Sequence, residues 1–81
     1  MRLDKFLKNS RLIKRRTIAK QACDTGRVSV NGKVVKAGYE VKESDIIEIR
    51  FGERLIKAEV LGLKETSFKD DAKEMIRILE D

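Results

Sequence analysis

Eleven lysines and arginines stand in the first 36 residues: Arg2, Lys5, Lys8, Arg11, Lys14, Arg15, Arg16, Lys20, Arg27, Lys33 and Lys36. Only Asp4 and Asp24 oppose them, so this stretch carries +9, whereas residues 37–81 carry −4 and the whole chain +5. The chemistry such residues offer is phosphate binding. The planar arginine fork reaches two oxygens of one phosphate, and lysine adds a mobile point charge. Arg16 and Lys20 are four apart and share a helical face. Charge runs that merely solvate a surface come with balancing acids, which this third of the chain nearly lacks. A basic half joined to an acidic half presents one side to a polyanion.

Other chemistries find little support. The chain has no histidine, which removes the commonest general base and a common metal ligand. Its one cysteine, Cys23, has no imidazole to pair with and no second thiol. Cys23 falls among Ile18, Ala19 and Ala22 and is expected to be a small buried hydrophobe. Asp70 and Asp71 are more readily helix-dipole partners than a metal pair. The expectation is therefore a protein that is not an enzyme and has no cofactor and no metal. With a lone thiol and no apolar run of membrane-span or signal-peptide length, a cytoplasmic location away from the membrane is expected.

The elements that must position these cations follow from periodicity. Leu3, Phe6 and Leu7 predict a short amphipathic helix over residues 2–9, broken at Asn9-Ser10. A second helix is predicted from Lys14 or Arg15 to Asp24, with Ile18, Ala19, Ala22 and Cys23 inward and Gly26 as terminator. Its N-terminus offers free amides that favour an anion. Val28 and Val30 alternate with Arg27 and Ser29 as a strand. Asn31-Gly32 is a strong two-residue hairpin signal, with Val34-Val35 beginning the return. Gly38 permits a turn, Val41 is an anchor, and Glu43-Ser44-Asp45 turns into a strand at residues 46–49, closed by Phe51-Gly52. Residues 54–63 read as a further strand. Ala72, Met75, Ile76 and Leu79 predict a terminal helix over residues 70–80. The sum is one α+β domain over residues 1–81: two N-terminal helices on a small, mostly antiparallel sheet, with a C-terminal helix. Residues 1–51 form its core and residues 52–81 a strand-and-helix extension.

The kind of nucleic acid follows from what is missing. Phe6 occupies a core position, and Tyr39, Phe51 and Phe68 lie outside the basic third, so the stacking platform of single-strand readers is not evident. Long basic helices and spaced zinc ligands of common DNA readers are also missing. Folded RNA, gripped by its backbone, is the partner that remains. If five phosphates are engaged, log affinity falls with log salt at a slope of roughly −3.5 to −4.5. Glu40, Glu43, Asp45 and Glu48 offer an acidic docking surface as an alternative, though charge guarding a sheet edge accounts for them more simply.

Arg2-Leu3-Asp4-Lys5-Phe6-Leu7, Ser10-Arg11-Leu12, Arg16-Thr17, Ala19 and Gly26-Arg27-Val28-Ser29-Val30-Asn31-Gly32, followed by Val41, Asp45 and Ile46, resemble the S4 RNA-binding domain. The resemblance spans residues 1–51. The tail through Arg50-Phe51-Gly52 to Leu79 is similar to stand-alone bacterial members that act in ribosome quality control, with the ribosome-associated heat-shock protein a nearby relative. The resemblance implies binding to a stalled large ribosomal subunit that still holds peptidyl-tRNA, with contacts to large-subunit ribosomal RNA and to tRNA. It also implies a monomer that supports C-terminal tailing of the nascent chain by a factor of the nuclear export mediator factor family. A ribosome-recycling role, or general binding of structured RNA, is the alternative. By the same resemblance, Arg2 and Arg16 match RNA-contacting arginines, and Lys5, Arg11, Arg15, Lys20 and Arg27 support them. Lys8, Lys14 and Lys33 complete the expected RNA-binding set. Thr17 stands where many relatives have serine.

Overall fold

The computed structural model describes residues 1–63 and 74–79. Two helices, α1 (Leu3–Asn9) and α2 (Arg16–Asp24), precede five strands: β1 (Val28–Val30), β2 (Lys33–Val34), β3 (Ile46–Phe51), β4 (Arg54–Val60) and β5 (Ile76–Leu79). The strands form one antiparallel sheet in the order β2-β1-β3-β4-β5. One face of this sheet carries Val28, Val30, Ile47, Ile49, Ala58 and Val60, all buried. Leu3, Phe6 and Leu7 of α1 and Ala19, Ala22 and Cys23 of α2 close the core over it. The small residues on α2 let the helix approach its neighbours closely.

The hairpin forms where Asn31-Gly32 places it. Ser29 pairs with Val34 and Val30 with Lys33, leaving a two-residue loop whose φ angles, 53° and 85°, are both positive. That is the primed turn whose twist matches the strands it joins. Asn31 then ties the turn to the start of β3. Its Oδ1 accepts the Ile46 N–H at 2.9 Å and its Nδ2 donates to Asp45 Oδ1 at 3.1 Å. Asp45 is buried and also accepts the Tyr39 hydroxyl at 3.1 Å and the Lys42 N–H at 2.9 Å. Asp45 is thus a structural hub, since a buried carboxylate is tolerated when its lone pairs are occupied.

Two expectations need correction. Ile18 does not point inward; it is 46% exposed. The buried stripe of α2 runs through Ala19, Ala22 and Cys23, and Ile18 lies on its flank. The predicted terminal helix holds at Glu74 and Met75 but not beyond them, because Ile76–Leu79 is a strand paired with β4. Residues 70–73 and 80 of that prediction lie outside the described residues. Met75, Ile76 and Leu79 have helical spacing, but Ile76-Arg77-Ile78-Leu79 also suits an extended strand. The open edge of β4 supplies the hydrogen bonds that decide between the two. Met75 is fully buried, its carbonyl accepts the N–H groups of Leu61 and Gly62, and Arg77 pairs with Glu59 across the strands.

Candidate nucleic-acid interface

Asp4 organises the basic surface. It lies on the inner side of α1, only 3% exposed, with Arg2 Nε at 3.2 Å from Oδ1 and Arg16 Nε at 3.4 Å from Oδ2. The Lys5 N–H also donates to Oδ1, at 2.8 Å. Burial by itself would raise the carboxyl pKa. The hydrogen bonds from Arg2, Arg16 and the Lys5 amide outweigh it and hold the carboxyl below its ordinary value. Asp4 is therefore ionised at neutral pH, and two arginines distant in sequence converge on it. Their side chains remain 50% and 49% exposed, leaving each guanidinium able to meet a second anion.

Backbone geometry fixes both arginines at helix starts. Arg2 occupies the N-cap position of α1 in extended conformation, bridged to Glu40, while the Leu3 N–H donates to the Tyr39 carbonyl at 2.8 Å. Arg15 is the extended N-cap of α2, and no side chain caps that end, so Arg16 opens the helix beside uncapped amides. Arg11 lies between the helices at φ 64°, the left-handed region where glycine is the usual occupant of a helix terminus. Its N–H donates to the Lys8 carbonyl at 3.0 Å, and the Ile13 N–H to the Leu7 carbonyl at 3.1 Å. A non-glycine residue held there costs about 1–2 kcal/mol, and strain of this kind concentrates at functional sites.

The other predicted RNA-binding residues distribute around this pair. Arg11, Lys14, Arg15 and Lys20 are exposed on the connection and on α2; Lys5 and Lys8 are half-buried on α1. Arg27 and Lys33 lie elsewhere. Arg27 is exposed just past the C-terminal end of α2, whereas Lys33 is exposed at the tip of the β1–β2 hairpin, where it pairs with Val30. Lys36 reaches the C-terminal end of α2, where its ammonium donates to the Asp24 carbonyl at 3.4 Å. The structure thus brings Arg2 and Arg16 onto one carboxylate and leaves Arg27 and Lys33 apart from them, at opposite ends of β1. Asp4 is the residue of this candidate site that sequence reasoning passed over. Its signal was an acid beside the buried stripe of a helix otherwise flanked by cations.

A family model for the S4 domain matches residues 1–47. The chain belongs to the S4 domain family. The S4 match takes in both helices, the hairpin and the start of β3. Across its full length the chain is also similar to curated relatives named RQC P-site tRNA stabilizing factor. That of Halalkalibacterium halodurans is 55% identical, covering 96% of this chain and 89% of the relative. That of Bacillus subtilis is 52% identical, covering 100% and 94%. Among solved structures, the trimeric structure of Vibrio cholerae Heat Shock Protein 15 superposes with a TM-score of 0.89 at 25% identity, covering 98% of this chain and 81% of that one.

Residues able to support other chemistry stay within the fold. Burial pushes the Cys23 thiol up to about 11, with Asp4 and Asp24 adding to the effect, so it remains protonated and unreactive. Among the described residues, no group of three His, Cys, Asp or Glu side chains is placed to hold a metal ion. Among the same residues, no helix is long and apolar enough to cross a membrane.

Proposed function

We propose that this chain is an RNA-binding factor of bacterial ribosome-associated quality control that acts without catalysis. Arg2 and Arg16, held by Asp4, grip the phosphate backbone at the centre of the interface. Arg11, Lys14, Arg15 and Lys20 extend the grip along the helices, Lys5 and Lys8 flank it on α1, and Arg27 and Lys33 add contacts from the two ends of β1. The convergence of Arg2 and Arg16 on one buried carboxylate carries this reading. A mere solvating charge run has no need of a shared anchor that draws two cations together.

The partners in this reading are large-subunit ribosomal RNA and the peptidyl-tRNA of a stalled large subunit. Half-identity to relatives named for P-site tRNA stabilization, over nearly their whole length, supports that choice. The chain acts as a monomer and steadies the tRNA while a factor of the nuclear export mediator factor family extends the nascent chain. A recycling role on the same large subunit is the second reading. Sedimentation of a cell lysate through sucrose tests the large-subunit partner. Co-migration with large subunits bearing tRNA, lost in Arg16→Ala, is the expected outcome. Migration only with small subunits or free RNA contradicts the proposal.

A further inference from the structure

We infer that the cleft between α2, the turn that follows it and the end of β3 receives a single unstacked nucleobase of the bound RNA, an inference that rests on the RNA-binding reading above. Ile18, Ala22 and Phe51 supply its apolar walls, and Gln21, Thr25 and Arg27 its polar groups. Its volume is about 230 Å³. Pockets for drug-sized ligands run to roughly 300–1,000 Å³, so this one suits a smaller guest.

The chemistry of the lining matches a base more closely than an apolar side chain. Phe51 is partly buried, packed on the core from one side, and lines the cleft with the other. An aromatic face of this kind stacks any base. Gln21 is exposed and carries both a donor and an acceptor for a base edge. The Thr25 hydroxyl donates to the Gln21 carbonyl at 2.7 Å, which commits its hydrogen and leaves its oxygen to accept. Arg27 forms no side-chain hydrogen bond or ion pair among the described residues, so its guanidinium is available to stack on a base or meet its phosphate. Gln21 and Thr25 also line a neighbouring hollow with Thr17, Lys20 and Asp24. The exposed position of Ile18, an oddity for a core helix, becomes one wall of this receptor.

The test uses the isotope-labelled full chain and the four nucleoside 5′-monophosphates, with inorganic phosphate and N-acetyl-leucinamide as controls. Nucleotides are expected to shift the NMR signals of the Phe51 ring and the Gln21 side-chain amide, and the controls are not. Phe51→Tyr keeps the response, whereas Phe51→Leu loses it with the remaining spectrum intact. Affinity for a large-subunit ribosomal RNA hairpin with an unpaired loop falls roughly 5- to 150-fold in Phe51→Leu, the range expected for one lost stacking partner. Shifts confined to Arg27 that phosphate reproduces, or an equal response to N-acetyl-leucinamide, overturn the inference. Wild-type binding to the hairpin without nucleotide-induced shifts overturns the base site alone. Absence of hairpin binding overturns the RNA-binding reading beneath it.

Discussion

Replacing Asp4 by asparagine separates charge from geometry. Asp4→Asn raises the charge of the basic third by one, so an account based on net charge alone predicts tighter RNA binding and a steeper salt dependence. The positioning account predicts the reverse. Asparagine keeps the shape but loses the attraction that fixes two guanidiniums, and RNA must then order both side chains. That ordering costs about 0.5–1.5 kcal/mol for each, or about 1–3 kcal/mol together. Part of this is offset by the added charge, leaving a weakening of roughly tenfold. Stability falls as well. A net hydrogen bond to a charged group contributes about 1.5–3 kcal/mol, but both arginines are half exposed and screened, so the loss is nearer 1–2 kcal/mol. For a domain of this size that lowers Tm by roughly 4–16 °C and leaves the protein folded at 25 °C. Fluorescence anisotropy with a structured ribosomal RNA, titrated at several salt concentrations, measures the affinity, and circular dichroism the melting point. An Asp4→Asn variant that binds more tightly than wild type with an unchanged Tm refutes the reasoning.

Three further outcomes follow from the same geometry. Because the Asp4 carboxyl is held below its ordinary value in the folded state, the unfolded chain takes up its proton first on acidification. Its contribution is full above the ordinary carboxylate range, near pH 4 and upward, and is lost as pH falls through the depressed folded value; urea denaturation across pH 2–6 shows this component in wild type and not in Asp4→Asn. Arg11→Gly relieves the positive φ at that site, raising stability by about 0.5–1 kcal/mol after the entropy of a freer unfolded chain is subtracted, while RNA affinity falls with the lost cation; thermal melts and anisotropy together detect this opposed pair. Asp45→Ala strands the Asn31 amide, the Tyr39 hydroxyl and the Lys42 N–H, costing about 2–3 kcal/mol in chemical denaturation, yet RNA affinity measured well below the lowered Tm stays near wild type.

Local signals in the chain were read well where a residue type answers a backbone demand. Asn31-Gly32 lies in the primed turn it predicts, and Gly26, at φ 80°, follows the end of α2. Leu3, Phe6 and Leu7 are buried at the spacing that identified α1. What escaped depends on partners distant in sequence. β5 exists because β4 leaves an edge to be paired, and helical spacing over Met75, Ile76 and Leu79 carries no information about that edge. Ile18 shares an apolar character with Ala19 and Ala22, but how far the sheet extends beneath α2 decides which of them is covered. Asp4 looked like a minor subtraction from the positive charge. Its role emerges only when α1 and α2 pack and bring Arg16 within 3.4 Å. The positive φ of Arg11 has no compositional mark, since glycine is the residue expected there.

The claim that Arg2 and Arg16 work as one anchored unit is tested most directly by a double-mutant cycle on RNA affinity, using Arg2→Ala, Arg16→Ala and the double variant. Each single substitution is expected to weaken binding about tenfold, and the double variant by less than the product, with a coupling of about 0.5 kcal/mol or more. Unchanged affinity in all three variants at low salt contradicts the account, as do two losses that simply multiply.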